Sequence, residues 1–303
     1  MSIHERPYDP CLCDSRSIVS IASTNSQEHA MEHVASPGPI VVGIDGSDAA
    51  IKAAEWAVEE AVCRNTPLRL VYVIQHRQTR RTSAQPLPPE EEYAEQALRN
   101  ACAVVEKTDK PIKIDTAVLR DDIGSALIAE SANAVMICVG SVGIARVASK
   151  IIGSTAVTLA EHAHCPVAII RSGCDTHPMR DGYIAMVFDD RSCNDEIVHW
   201  ALEEARLRKA PVLALGVWRW ALFELPYEDL YRRLDDWLRR YPDVLVEVAA
   251  TRSNVAKYLE GQIGRVQLVV IGSENAGKVA QLVGPHGPPI LAHPDCSVLV
   301  VRG

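Results

Sequence analysis

Short runs of apolar, often β-branched residues alternate along this chain with longer segments whose apolar positions recur every three or four residues. In the first half the runs Ile40–Ile44, Leu68–Val73, Ile112–Val118, Ala134–Val139 and Val167–Ile170 read as strands. The segments Ala49–Arg64, Glu90–Lys107, Ile123–Ala132 and Thr155–Ala163 carry the helical period. The strand runs are nearly continuous in apolar residues rather than alternating, so both faces of the sheet must be covered, as they are when parallel strands are joined through helices. The expected product is an α/β, doubly wound sheet.

The pattern is written twice. Ile40-Val-Val-Gly-Ile-Asp45 is followed eleven residues on by Trp56-Ala57, then by Glu59-Glu60-Ala61 and Pro67. Tyr183-Ile-Ala-Met-Val-Phe-Asp189 is followed eleven residues on by Trp200-Ala201, then by Glu203-Glu204-Ala205 and Pro211, all at one offset of 144. The closing segments His164-Cys165-Pro-Val-Ala-Ile-Ile-Arg171 and Asp295-Cys296-Ser-Val-Leu-Val-Val-Arg302 match at an offset of 131, so the second copy has lost about a dozen residues on the way. Two tandem domains are therefore expected, at 38–173 and 180–303. Residues 1–37 have little periodicity and read as a flexible N-terminal extension. In the second copy Tyr227, Leu230, Tyr231, Leu234, Trp237, Leu238 and Tyr241 form one helical stripe, read as the face packed on the sheet.

Chemistry enters where the fourth strand of the first copy hands over to a helix. Gly140-Ser-Val-Gly143 is followed, after nine intervening residues, by Gly153-Ser154-Thr155. Glycine lets backbone approach an anion closely, and free N–H groups at a helix start attract phosphate oxygens. Ser154 and Thr155 add hydroxyl donors. Asp45 ends the first strand and Gly140 the fourth; the two become neighbours if those strands flank the point where strand order reverses, where open parallel sheets bind ligands. The second copy reads Gly272-Ser-Glu-Asn275-Ala-Gly277-Lys278 and then Gly284-Pro285, a damaged version in which proline removes both a hydroxyl and an N–H.

The spacing Gly, two residues, Gly, nine residues, Gly, Ser resembles the nucleotide motif of the universal stress protein family, as do the opening Val41-Val-Gly-Ile-Asp45-Gly-Ser47 and the closing His164-Cys165-Pro166-Val167. The resemblance covers residues 38 to 303, as a tandem member of the kind found in actinobacteria. It implies two five-stranded parallel sheets of order 3-2-1-4-5, with ATP, accompanied by Mg²⁺, in the first copy. Carried over by position, Ile44, Asp45 and Val73 would line the adenine and ribose end, and Gly140, Gly143, Gly153, Ser154 and Thr155 would wrap the phosphates. The chain departs from the pattern at Val142, where the family often carries Arg or His, and at Ala156, where it often carries a hydroxyl; Lys150 or Arg146 are candidates to supply the missing charge. The family's habit of pairing final strands implies contact through Val167–Ile170 and Val298–Val301, between the two halves or in a homodimer.

Composition narrows the function classes. A net charge of −8 argues against nucleic acid as partner. No apolar run approaches the ~20 residues of a membrane span, and no signal peptide is evident, so a cytoplasmic protein is expected. Of nine cysteines, Cys102, Cys138, Cys165 and Cys296 fall in apolar segments and read as buried thiols; Cys11 and Cys13 form an isolated pair. His162, His164 and Cys165 read as helix end and strand entry rather than metal ligands. The basic stretch from His76 to Arg81 reads as a solvated loop. With no Gly-Lys-Ser/Thr loop and no paired catalytic carboxylates, a dedicated enzyme is not expected. Two classes remain: an ATP-binding stress-response regulator, with a weak ATPase as a variant, and a protein-interaction module that works without nucleotide through a partner the sequence does not name.

Overall fold

The computed structural model describes residues 38–75, 89–143, 152–171, 182–189, 195–217, 227–251, 255–260, 266–283 and 296–302. The N-terminal extension with Cys11 and Cys13, the basic loop, Arg146, Lys150, Gly284 and Pro285 lie outside them.

Helix α1 (Asp48–Arg64) shows how local sequence sets the elements. Ser47 caps it, its side chain accepting from Ala50 N–H at 3.2 Å, and Asp48 sits in the first turn where the helix dipole favours an acid. The helix stops at Asn65, which takes the left-handed conformation (φ 51°) and returns its N–H to the last turn. Between these ends Ala49, Ala50, Ala53, Ala54, Ala57, Val58 and Ala61 are buried, a small-residue face that lets the helix lie close on the sheet.

The first half continues the alternation: β1 (Ile40–Ile44), α1, β2 (Leu68–Gln75), α2 (Pro89–Glu106), β3 (Ile114–Asp121), α3 (Ile123–Ser131), β4 (Met136–Gly140), α4 (Ser154–His162) and β5 (Val167–Ile170). The second half follows with β6 (Tyr183–Asp189), α5 (Asp195–Arg208), β7 (Val212–Val217), α6 (Tyr227–Arg240), β8 (Val246–Thr251), α7 (Val255–Glu260), β9 (Val266–Gly272), a 3₁₀ helix (Ser273–Lys278), α8 (Val279–Val283) and β10 (Ser297–Val301). Strand β3 begins and ends later than the apolar run Ile112–Val118, because its register is set by pairing with β2 from Leu68↔Ile114 to Gln75↔Asp121.

All ten strands form one sheet, in the order β3-β2-β1-β4-β5-β10-β9-β6-β7-β8. Each half is parallel with order 3-2-1-4-5, and the halves meet at the antiparallel pair β5–β10, Val298↔Ile169 to Val300↔Val167. The carboxyl ends of the two halves therefore point in opposite directions. One core lies between the sheet and α1, α2, α5 and α6, including Leu234 and Tyr241 of the predicted stripe; the other lies under α3, α4 and α8.

Of the two uses expected for the final strands, this topology takes the internal one. Strand β5 is bonded to β4 and β10, and β10 to β9 and β5, so neither has an edge left for another chain. The pairing is internal, and the duplicated sequence makes it nearly symmetric. On one face Arg64 lies over the ring of Trp200 at 4.0 Å and Arg208 over that of Trp56 at 4.5 Å, contacts of about 0.5–2 kcal/mol each. Between them Glu60 and Glu204 are wholly buried. Glu60 accepts from Arg208 at 2.8 Å and from Arg64 at 3.3 Å, while Glu204 faces Arg208 and lies 3.8 Å from Arg64. On the other face Arg171 donates to the Val283 carbonyl at the end of α8, and Arg302 donates to the Leu159 and Ala160 carbonyls at the end of α4, at 2.8 and 2.7 Å.

Candidate functional site

β1 and β4 are adjacent and parallel, with β2 on the other side of β1, so their carboxyl ends flank the reversal of strand order. Here Gly140 closes β4 against the start of α1: a methyl group at Gly140 would lie 2.7 Å from the Ala49 backbone. Ser141 donates its N–H to Ile170 and accepts from Gly153 N–H at 2.7 Å, which brings the far end of the loop back to its beginning. At Gly143 a methyl group would lie 2.7 Å from Asp45 Oδ2, so the bare backbone lets the Asp45 carboxylate reach the loop. Its other oxygen accepts from Ser47 N–H at 2.9 Å.

Helix α4 starts at Ser154 with Gly153 as N-cap and no side-chain capping bond, whereas α1 and α3 are capped by Ser47 and Asp122. The first intrahelical bond runs from Val157 N–H to Gly153 at 3.3 Å. The N–H groups of Ser154, Thr155 and Ala156 thus have no acceptor within the helix and carry its positive pole. Ser154 is exposed and Thr155 half-buried beside this opening. Ala156 is 1% exposed and packs in the core under the helix, so its lost hydroxyl concerns the core side of the helix rather than the opening.

The residues expected at the adenine end divide. Asp45 is half-buried at the mouth, and Val73 half-buried near the end of β2. Ile44 is 3% exposed and belongs to the core beneath α1, so its side chain is not brought to the site. In its place stands a pair of tyrosines that the sequence reading missed. Tyr93 of α2 and Tyr72 of β2 meet edge to face with centroids 6.2 Å apart, and the Tyr93 hydroxyl covers Gly46, whose φ of +86° suits glycine. Burial pushes the Tyr72 phenol up, aided by Tyr93 and by the carboxylates of Asp45 and Glu90. The available signal was faint: an aromatic in an otherwise acidic first turn, Glu90-Glu-Glu-Tyr93.

The second half has rebuilt the same place. β9 passes directly into the 3₁₀ helix, and the Glu274 carboxylate lies against Gly272, where a methyl group would collide with it. Asn275 is 7% exposed, donates to Glu274 at 3.1 Å and accepts from Lys278. The Glu274 carboxylate thus lies against the first glycine of this loop, whereas in the first half Gly140 meets the Ala49 backbone.

Two other regions lack this chemistry. A cavity of about 890 Å³ borders Pro39, Pro67, Lys113 and Asn133 at the amino ends of the strands, but its Arg69 is already held by Asp115 and Glu130. Near the predicted helix end His162 is exposed beside Glu161, His164 N–H donates to Ser131, and burial pushes the Cys165 thiol up to about 11. Among the described residues no three His, Cys, Asp or Glu side chains converge on a metal position.

The profile of the Universal stress protein family matches residues 38–171. Universal stress protein Rv2624c from Mycobacterium tuberculosis (strain ATCC 25618 / H37Rv) is 46% identical over 267 residues, covering 87% of this chain and 96% of its own length. Universal stress protein Rv3134c from the same strain is 39% identical over 270 residues, covering 87% and 95%. A crystal structure of a universal stress protein from Archaeoglobus fulgidus DSM 4304 shares the fold, with a TM-score of 0.66 at 16% identity over 88% of this chain and 97% of that one. The chain belongs to the universal stress protein family.

Proposed function

We propose that this protein is an adenine-nucleotide-binding regulator that holds one ATP in its first half and uses its second half structurally. The observation that carries the reading is the pinched glycine loop of β4 set against the uncapped start of α4, with the Asp45 carboxylate alongside. Backbone N–H groups and the Ser154 and Thr155 hydroxyls suit phosphate oxygens, an acceptor carboxylate suits a ribose hydroxyl or an adenine amine, and the Tyr72–Tyr93 pair offers an aromatic wall for a base. Mg²⁺, when bound with the triphosphate, would supply charge neutralisation that the loop's own side chains lack at Val142. The described residues of the site are suited to binding, and in this reading occupancy rather than turnover is the output.

The test is thermal unfolding of nucleotide-stripped protein with and without Mg-ATP, beside a Gly153→Glu variant. Gly153 has an ordinary φ of −71°, and a methyl there meets nothing closer than 3.7 Å, so the substitution is tolerated by the backbone while placing a carboxylate where the phosphates belong. ATP at 100 times its dissociation constant should stabilise the wild type by about 2.7 kcal/mol and leave the variant unmoved. An unshifted wild type at millimolar ATP overturns the reading.

A further inference from the structure

Helix α4 connects two places that the sequence treats as unrelated. Its amino end is the far end of the loop just described; its carboxyl end is held by Arg302, which follows β10 of the other half. The Arg302 guanidinium donates to the Leu159, Ala160 and Glu161 carbonyls, adding a second donor at Leu159, which already accepts from Ala163 N–H, and complementing the helix's negative pole. Nine residues make a rod about 13 Å long. Along its length α4 packs on the 3₁₀ helix and α8, with Ala156, Leu159 and Ala160 in one apolar cluster with Ala276, Val279 and Val283. The rebuilt loop of the second half is thus the bed on which the phosphate-side helix of the first half rests.

We propose that Arg302 is a positioning residue for the nucleotide site of the opposite half, setting the height and tilt of α4 so that its first N–H groups meet the phosphates. This rests on the reading of the first-half loop as a nucleotide site. A rigid helix cannot shift at one end alone, and an N–H to oxygen bond weakens steeply once its length or angle leaves the favourable range. The coupling is reciprocal: phosphate bound at the amino end tightens the grip of Arg302 at the other. The molecule carries its own control. Arg171 makes the mirror-related contact to Val283 at the end of α8, but that helix leads back to the loop in which Glu274 lies against Gly272.

The experiment compares ATP titrations of the full chain as wild type, Arg302→Ala, Arg302→Lys and Arg171→Ala, with amide hydrogen exchange of each with and without ATP. Arg302→Ala should bind at least about fivefold more weakly. The lysine variant, which keeps the charge but not the fork, should fall between, and Arg171→Ala should stay within about twofold of wild type although it loosens the same junction. ATP should slow exchange at residues 159–163 in the wild type and not in Arg302→Ala. Equal affinity of wild type and Arg302→Ala overturns the proposal while leaving the nucleotide reading intact. Equal weakening by Arg171→Ala also overturns it, because the effect is then general loosening. Absence of binding by the wild type instead overturns the nucleotide reading and this inference with it.

Discussion

Single atoms decide how closely the first-half loop packs. A methyl at Gly140 would press on the Ala49 backbone at 2.7 Å, so Gly140→Ala should destabilise by about 1–3 kcal/mol through overpacking and abolish nucleotide binding. Gly277 has open space around its Cβ position, and Gly277→Ala should leave stability within about 0.5 kcal/mol of wild type. Urea denaturation of the pair separates a steric requirement from a general intolerance of substitution. Tyr93→Ala should weaken ATP binding about two- to tenfold, the worth of an aromatic stack, with little change in stability because Tyr93 is 46% exposed. The spacing of the glycines, Asp45 and the hydroxyl residues in the sequence pointed to one place, and the structure brings them together at the carboxyl ends of β1 and β4. Tyr93 gave no such signal, because its place over Gly46 depends on how α2 lies across the sheet. The side chain of Ile44 lies in the core for a related reason: the last residue of a strand has one face at the mouth and one in the core, and only packing shows which face its side chain takes.

At the scale of elements the junction between the halves holds the most strain-sensitive chemistry. Arg208 faces both buried glutamates, so Arg208→Ala, which leaves them without their nearest cation, should cost about 3–5 kcal/mol in urea unfolding. Burial, reinforced by Glu60, pushes the Glu204 carboxyl up to about 8. A carboxyl raised in the folded state binds its proton more tightly there than when unfolded. Its stabilising contribution is complete below about 4.5, the ordinary glutamate value, and is lost as pH rises through about 8. Unfolding free energy should therefore decline from pH 5 to 8, and Glu204→Gln should flatten the decline; an identical slope in the variant would contradict the assignment. The recurrence of Trp56 and Glu60 at Trp200 and Glu204 was plain in the sequence. That the repeats meet, each Arg on the other's Trp, was hidden, because periodicity within one helix carries no information about which helix faces it.

For the whole molecule, one ten-stranded sheet replaces two separable sheets, and the final strands are used up in joining them. The strand order within each half followed from the family resemblance, while the junction needed the antiparallel register of β5 and β10. The copies have diverged in structure: in the second, Glu274 lies against Gly272, and the 3₁₀ helix and α8 support α4 of the first. The central claim, one nucleotide site per chain and that one in the first half, is tested most directly by calorimetric titration of Mg-ATP into nucleotide-stripped protein. The account predicts one ATP per chain, abolished by Gly153→Glu and untouched by Glu274→Gln. Two ATP per chain, or one that survives Gly153→Glu, would contradict it.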